Sequence, residues 1–201
     1  MARRNPHNRL AAGLILVGLA LVGWPAAPAG AQAAAPASYI LNKNQSRFLF
    51  SIGHFFVSST EGKFTVFDGR LMFPPQAPEN GTVTIHVSPG SISTGIAARD
   101  DHLRSADFFD ADKFPLATFA STGLVRNSGS IGKLAGMLTL HGVTKPITLD
   151  VTLKTPDLNA DRLEFSASAK MKRSDFGMTG YMGVIGDEVS LTIDAEFDRD
   201  H

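Results

Sequence analysis

The chain has 201 residues with 19 basic and 19 acidic side chains, 43% apolar residues and no cysteine, the proportions of a single globular domain. The lack of cysteine excludes disulfide frameworks, thiolate metal sites, cysteine nucleophiles and cysteine-linked haem. Arg3, Arg4 and Arg9 precede the first acidic residue, Glu61; the 19 basic groups less those three leave 16 against 19 acidic, and a mildly acidic domain is a poor nucleic-acid binder.

Residues 1–38 carry the three parts of a secretory leader: the basic start, an uncharged apolar run from Leu10 to Val22, and small residues in which Ala29-Gly30-Ala31 satisfies the cleavage rule. Cleavage is expected after Ala31, with Ala33 as second choice. The apolar run is shorter than the roughly 20 residues that span a bilayer, so no membrane insertion is expected once residues 1–31 are removed. No cysteine follows the run to accept a lipid, and Asn5-Pro6-His7 fits poorly after a twin-arginine pair. Residues 32–38 read as a short linker and 39–201 as the domain.

From Tyr39 onward the pattern is apolar-polar alternation, which predicts strands with one dry face. Phe48, Phe50 and Ile52 alternate with Arg47, Leu49 and Ser51. A strand is expected over 61–73, its inward face left open because a bulge near Asp68-Gly69 would shift the register, and Val83, Ile85 and Val87 mark the next. Ile96 to Phe109 breaks the pattern and reads as a short helix and tail, with Thr94 as N-cap. Strands follow over 115–126 and 130–141. Ile147 to Leu153, Leu163 to Met171 and Val189 to Phe197 alternate most regularly. Turn residues separate them: Pro74-Pro75, Asn80-Gly81, Asn127-Ser128-Gly129, His141-Gly142, Asp157 to Asp161, and Gly180, Gly183 and Gly186.

About eight antiparallel strands with one apolar face each form either a two-sheet sandwich or a closed barrel. A closed eight-stranded barrel removes sheet edges and has an interior that side chains fill or that holds one small ligand. Of the aromatic residues fourteen are phenylalanine, two tyrosine and one tryptophan, the last being Trp24 in the leader. Phenylalanine brings apolar area without a polar handle, so the interior is expected to be dry.

Catalytic signatures are scarce. Nucleophile elbows, Walker loops, dinucleotide fingerprints and zinc-protease motifs are absent. Asp175-Phe176-Gly177 spells the kinase magnesium motif but lacks its companions. His54, His86, His102, His141 and His201 show no metal-ligand spacing, and no metal is expected. Two polar clusters adjoin apolar residues: Arg99 to Ser105 with Asp107-Phe108-Phe109, and Arg173 to Met178. They either tie loops to a barrel rim or ring the mouth of a cavity.

These clusters also carry a resemblance. Arg99-Asp100-Asp101-His102-Leu103-Arg104-Ser105-Ala106-Asp107-Phe108-Phe109-Asp110, then Ala117-Thr118-Phe119-Ala120-Ser121-Thr122, Gly136-Met137-Leu138-Thr139-Leu140-His141-Gly142-Val143-Thr144-Lys145-Pro146, and Arg173-Ser174-Asp175-Phe176-Gly177-Met178, in this order, resemble the YceI family of exported lipid-binding proteins. Asn42 and Gln45 depart from it, standing where the family's opening commonly has aspartate and histidine. The resemblance implies an eight-stranded antiparallel, lipocalin-like barrel with a short helix closing one end, holding a polyisoprenoid chain or similar amphiphile. The ligand-binding residues expected are Phe48, Phe50, Ile52, His54, Phe64, Val83, Ile85, Leu103, Phe108, Phe109, Phe119, Leu138, Leu149, Phe165, Phe176 and Met178, with Arg99, Asp100, His102, Arg104, Arg173 and Asp175 as a polar mouth. The implied partner is a small amphiphilic lipid (isoprenoid quinone, prenyl lipid or fatty amide) rather than a cofactor or nucleic acid, the location periplasmic or secreted, and a homodimer is left open. Two other readings compete: an enzyme on a quinone or prenyl lipid using His54, His102 or an arginine-aspartate pair, and a docking module for a membrane redox or stress system. A barrel packed solid with side chains would favour the latter.

Overall fold

The computed structural model describes residues 36–54 and 58–201; the expected leader and the first residues of the expected linker lie outside them. Eleven strands and one helix occur among the described residues: β1 (Ala37–Leu41), β2 (Arg47–His54), β3 (Ser58–Phe64), β4 (Phe67–Phe73), β5 (Thr82–Val87), β6 (Ile92–Ser93), α1 (Ala97–Arg104), β7 (Ala117–Ser128), β8 (Ile131–Leu140), β9 (Val143–Leu153), β10 (Arg162–Lys172) and β11 (Ile185–Arg199). Ala37 and Ser38, expected in the linker, already belong to β1.

Eight strands close into an antiparallel ring in the order β1-β4-β5-β7-β8-β9-β10-β11, with β11 returning to β1. The closure comes from β11, which at 15 residues serves two neighbours on one edge. Its end pairs with β1 through Phe197↔Leu41 and Arg199↔Tyr39, while Val189 to Asp194 pair with β2. From β2 the sheet continues through β3 to the two-residue β6 as a wing. Every ring strand thus has a ladder neighbour on both sides, so none is an edge strand, although β9 and β10 pair only over Asp150–Leu153 and Phe165–Ser168.

The expected strand over 61–73 is two strands parted at Thr65-Val66, and the break is chemical. The Ser91 hydroxyl accepts the Thr65 and Val66 backbone N–H groups at 3.1 and 3.0 Å, diverting both donors from a ladder. Asp68-Gly69, where a bulge would have shifted the register, stays in line with His86 and Ile85. Register shifts fall instead in β7, between Ser121 and Gly123 and between Arg126 and Ser128, and in β11 against β2, between Ile185 and Val189. The His141-Gly142 turn forms as expected: both residues take positive φ, 51° and 76°, in a two-residue hairpin loop between β8 and β9.

Helix α1 starts at Ala97, and Thr94 does not cap it. Thr94 acts as a donor, its N–H reaching Asp100 Oδ1 at 2.8 Å and its hydroxyl reaching the same oxygen. Arg104 fixes the helix to the chain before it, donating to the carbonyls of Gly90 at 2.8 Å and Ile92 at 3.0 Å.

The core lies mainly where the ring closes. Tyr39, Leu41, Phe48, Phe67, Leu71, Phe73, Leu163 and Phe197 are buried together. The Tyr39 hydroxyl donates to the Ala160 carbonyl at 3.0 Å, and the Arg199 guanidinium lies 4.9 Å from the ring centre. Burial raises the Tyr39 pKa above its ordinary value. Asn42 donates to Glu196 at 3.1 Å and Asp198 at 2.7 Å, so a neutral amide bridges two carboxylates where β1 meets β11. A smaller cluster of Ala117, Leu140, Phe176 and Met178 lies at the His141 turn, where His141 Nδ1 is 3.0 Å from the Phe176 carbonyl.

Candidate ligand-binding cavity

The inward faces of the strands do not meet. They surround a cavity of about 550 Å³ whose walls come from β2 to β5 and β7 to β11. Period two places them there: Val189, Leu191, Ile193, Ala195 and Phe197 on β11, and Ile147, Leu149 and Val151 on β9, are every second residue and all line the cavity. Several such residues, among them Phe50, Ile52, Val83, Ile85, Phe119 and Leu191, are only partly buried although they face inward. The accessible part of each borders the cavity.

Two glycines make room for aromatic rings. A Cβ on Gly62 would collide with the ring of Phe50, its cross-strand partner, and a Cβ on Gly136 would collide with the ring of Phe119. Phe119 sits opposite Leu138 and leans over Gly136. These close approaches let large side chains lie against the wall.

The helix end is the polar one. Arg99, His102 and Leu103 of α1, with Phe108 and Phe109 after it, line this end together with His54, Thr60 and Tyr181. His54 Nε2 lies 2.8 Å from Thr60 Oγ1. The Arg99 guanidinium donates to Thr94, from Nε to the hydroxyl at 2.7 Å and from Nη2 to the carbonyl at 3.0 Å, with Thr60 at 3.5 Å. His102 stands edge-on to Phe108 and Tyr181, whose rings stack at 5.6 Å, and its Nε2 is 3.1 Å from Asp107 Oδ2. Tyr181 holds a positive φ of 56° and is half exposed.

Every expected ligand-binding residue lines the cavity except Phe176. A 3-10 turn over Arg173–Phe176 removes Phe176 from the strand alternation and turns it into the smaller cluster. Of the expected mouth, Arg99, His102 and Arg173 reach the cavity; Asp100, Arg104 and Asp175 do not. Asp100 is buried against Thr94, whose hydroxyl bond holds its carboxyl below the ordinary pKa, and Arg104 is committed to Gly90 and Ile92. Asp175 is exposed on the 3-10 turn.

Arg173 is the most constrained of these residues. Only 3% exposed, it donates to the carbonyls of Gly186, Met178, Gly180 and Ile185 at 2.7–3.1 Å. Burial lowers its pKa, yet a guanidinium keeps its proton at neutral pH. It anchors the segment that carries Tyr181 over the cavity.

Residues such as Leu71, Leu134, Val189 and Ile193 share the alternation that marked the expected lining, so the signal for them was present. Tyr181 sits among glycines with no period to follow. Among the described residues no group of three or more histidine, aspartate or glutamate side chains is placed to hold a metal ion.

Fold and cavity together define a hollow, eight-stranded antiparallel barrel capped by a short helix. The YceI-like domain matches residues 39–197, and the chain belongs to the YceI family. Protein YceI of Salmonella newport is 39% identical over 168 residues, covering 81% of this chain and 87% of that protein. Among solved structures, the Campylobacter jejuni YCEI protein is 30% identical with a TM-score of 0.64, over 75% of this chain and 90% of that one. BcnA of Burkholderia cenocepacia is similar in fold, with a TM-score of 0.72 at 24% identity over 78% of this chain and 98% of BcnA. A polyisoprenoid binding domain from Saccharophagus degradans is too, with a TM-score of 0.68 at 16% identity over 82% of this chain and 99% of that domain.

Proposed function

We propose that the protein binds a polyisoprenoid or similar amphiphilic lipid in the barrel and carries or sequesters it in the periplasm after export, without catalysing its conversion. The observation behind this reading is the cavity itself. Its volume of about 550 Å³ falls within the roughly 300–1,000 Å³ of sites that enclose small ligands. Its walls are almost wholly aliphatic and phenylalanine side chains, so a guest is held by burial, at about 0.8 kcal/mol per methylene. A chain of several isoprene units then needs no strong polar anchor, and selectivity follows cavity length and branching.

The similarity to the Saccharophagus degradans polyisoprenoid binding domain supports this class of guest. The leader pattern read in residues 1–31 supports export. The cavity speaks against a docking-only role, which called for a solid interior. The residues an enzyme reading would use, His54 and His102, line only the helix end of the cavity, where His54 is paired with Thr60 and His102 with the exposed Asp107.

Native mass spectrometry of protein purified from its own host, without detergent, tests the reading. A bound apolar adduct that a delipidated sample regains from a prenyl lipid is expected; a delipidated barrel that takes up no prenyl lipid overturns it.

A further inference from the structure

Four large apolar side chains at the helix end face solvent. Tyr181, Met182 and Val184, together with Ile96 directly before α1, are between 42% and 53% exposed. The exposure is built into the backbone. Buried Arg173 holds the 181–185 segment from beneath, donating to the carbonyls of Gly180 and Ile185 at 2.7 and 3.1 Å. A Cβ on Gly183 would meet nothing within 4 Å, so the segment stands clear of the barrel wall.

These residues border one rim. His102 and Tyr181 both line the cavity and are both exposed, their ring centres 5.3 Å apart, so the cavity reaches the surface beside them. The rim runs on from Arg99 to Thr60 at 3.5 Å, from Thr60 to His54 at 2.8 Å, and from His54 to Ile185, its ladder partner next to Val184. Ile96 joins it through its carbonyl, which accepts the Arg99 backbone N–H at 3.0 Å. The charged side chains of α1 and its tail are paired among themselves: Arg104 with Asp101 at 2.7 Å and His102 with Asp107 at 3.1 Å.

We propose that Ile96, Tyr181, Met182 and Val184 form a docking surface for the lipid bilayer from which the barrel draws its guest. This assignment rests on the lipid-binding reading above. Clustered exposed apolar side chains mark an interaction site, and the guest decides the partner. Every methylene of a prenyl chain adds to the cost of entering water, so the chain stays in a membrane until a protein mouth touches it. Apolar side chains that dip into the headgroup boundary bring rim and bilayer together. Tyr181 belongs to surface and cavity wall alike, and its amphipathic ring suits that boundary. Because the nearby charges are already paired, docking needs no anionic lipid.

Co-flotation of the delipidated proteins with phosphatidylcholine vesicles tests the surface, using the wild type and an Ile96→Ser/Val184→Ser variant. Ile96 occupies the N-cap of α1, where serine is favoured, and neither residue lines the cavity. Met182 is left in place because its sulfur lies 3.2 Å from the Arg173 guanidinium. The variant is expected to unfold at the wild-type temperature and to bind farnesol, titrated by calorimetry, as tightly as the wild type. It should bind the vesicles on the order of tenfold more weakly, at low and high salt alike, and take up farnesol from loaded vesicles more slowly by a similar factor. A wild type that ignores the vesicles, or a variant that binds them equally, overturns the surface and leaves the barrel reading intact. Binding that requires phosphatidylglycerol and vanishes at high salt overturns it in favour of charge. A wild type that dimerises where the variant stays monomeric, without binding vesicles, overturns it in favour of a second copy of the chain. Failure of farnesol to bind either protein overturns the lipid reading and, with it, the reason for a bilayer.

Discussion

Arg173 shows how one side chain can organise a cavity rim. Its guanidinium replaces a whole set of turn hydrogen bonds by donating to four carbonyls between Met178 and Gly186. Replacement by methionine leaves those acceptors without donors, and Arg173→Met is expected to lower the unfolding free energy by about 2–4 kcal/mol, measured by denaturant titration. Arg173→Lys should restore little, because an ammonium presents its donors from a single point; full rescue by lysine would show that charge alone matters there. The neighbouring Asp187 accepts the Ser174 backbone N–H at 2.9 Å and its hydroxyl at 2.8 Å, and these bonds, the backbone one foremost, hold its carboxyl below the ordinary pKa. Its stabilising effect is therefore fully present above about pH 4, the ordinary aspartate range, and is lost as pH falls toward the depressed folded value. Acid unfolding followed by circular dichroism should show Asp187→Asn already weakened at neutral pH and less sensitive to pH below 4 than the wild type.

Among the elements, β8 is where wall and cavity are most closely linked. Gly136 is buried beside the Phe119 ring, and a new Cβ would also stand 2.7 Å from the Ala120 carbonyl. Backbone cannot yield as a ring can, so Gly136→Val is expected to cost about 1–3 kcal/mol and to push Phe119 into the cavity; a lower denaturant midpoint together with weaker uptake of an apolar probe checks both effects. The strands that were legible are those whose alternation runs unbroken, such as Val189 to Phe197, because one dry face enforces a strict period. Outside the strands, in the single helix and the 3-10 turn, no period of two shows where a side chain points, so the expected cavity positions of Asp100, Arg104, Asp175 and Phe176 do not hold. The split at Thr65-Val66 was equally hidden, since Ser91, distant in sequence, causes it.

At the scale of the whole molecule, barrel and interior depend on each other. The ring hides its edges by closing, and closure around phenylalanine and aliphatic faces leaves a dry hollow rather than a filled core. Burial is concentrated in the cluster at the closing seam, where Tyr39, Leu163 and Phe197 meet, while the helix end adds polar contacts of Arg99 and Arg104 to the packing of Phe108 on Tyr181. The seam has a temporal consequence. β11 borders β1, β2 and β10, so the ring and its wing are both incomplete until Ile185–Arg199 is available. A chain emerging in sequence order cannot finish its barrel early; the hollow closes only once Ile185–Arg199 has docked on three neighbours at once, so the last strand acts as the clasp of the ring.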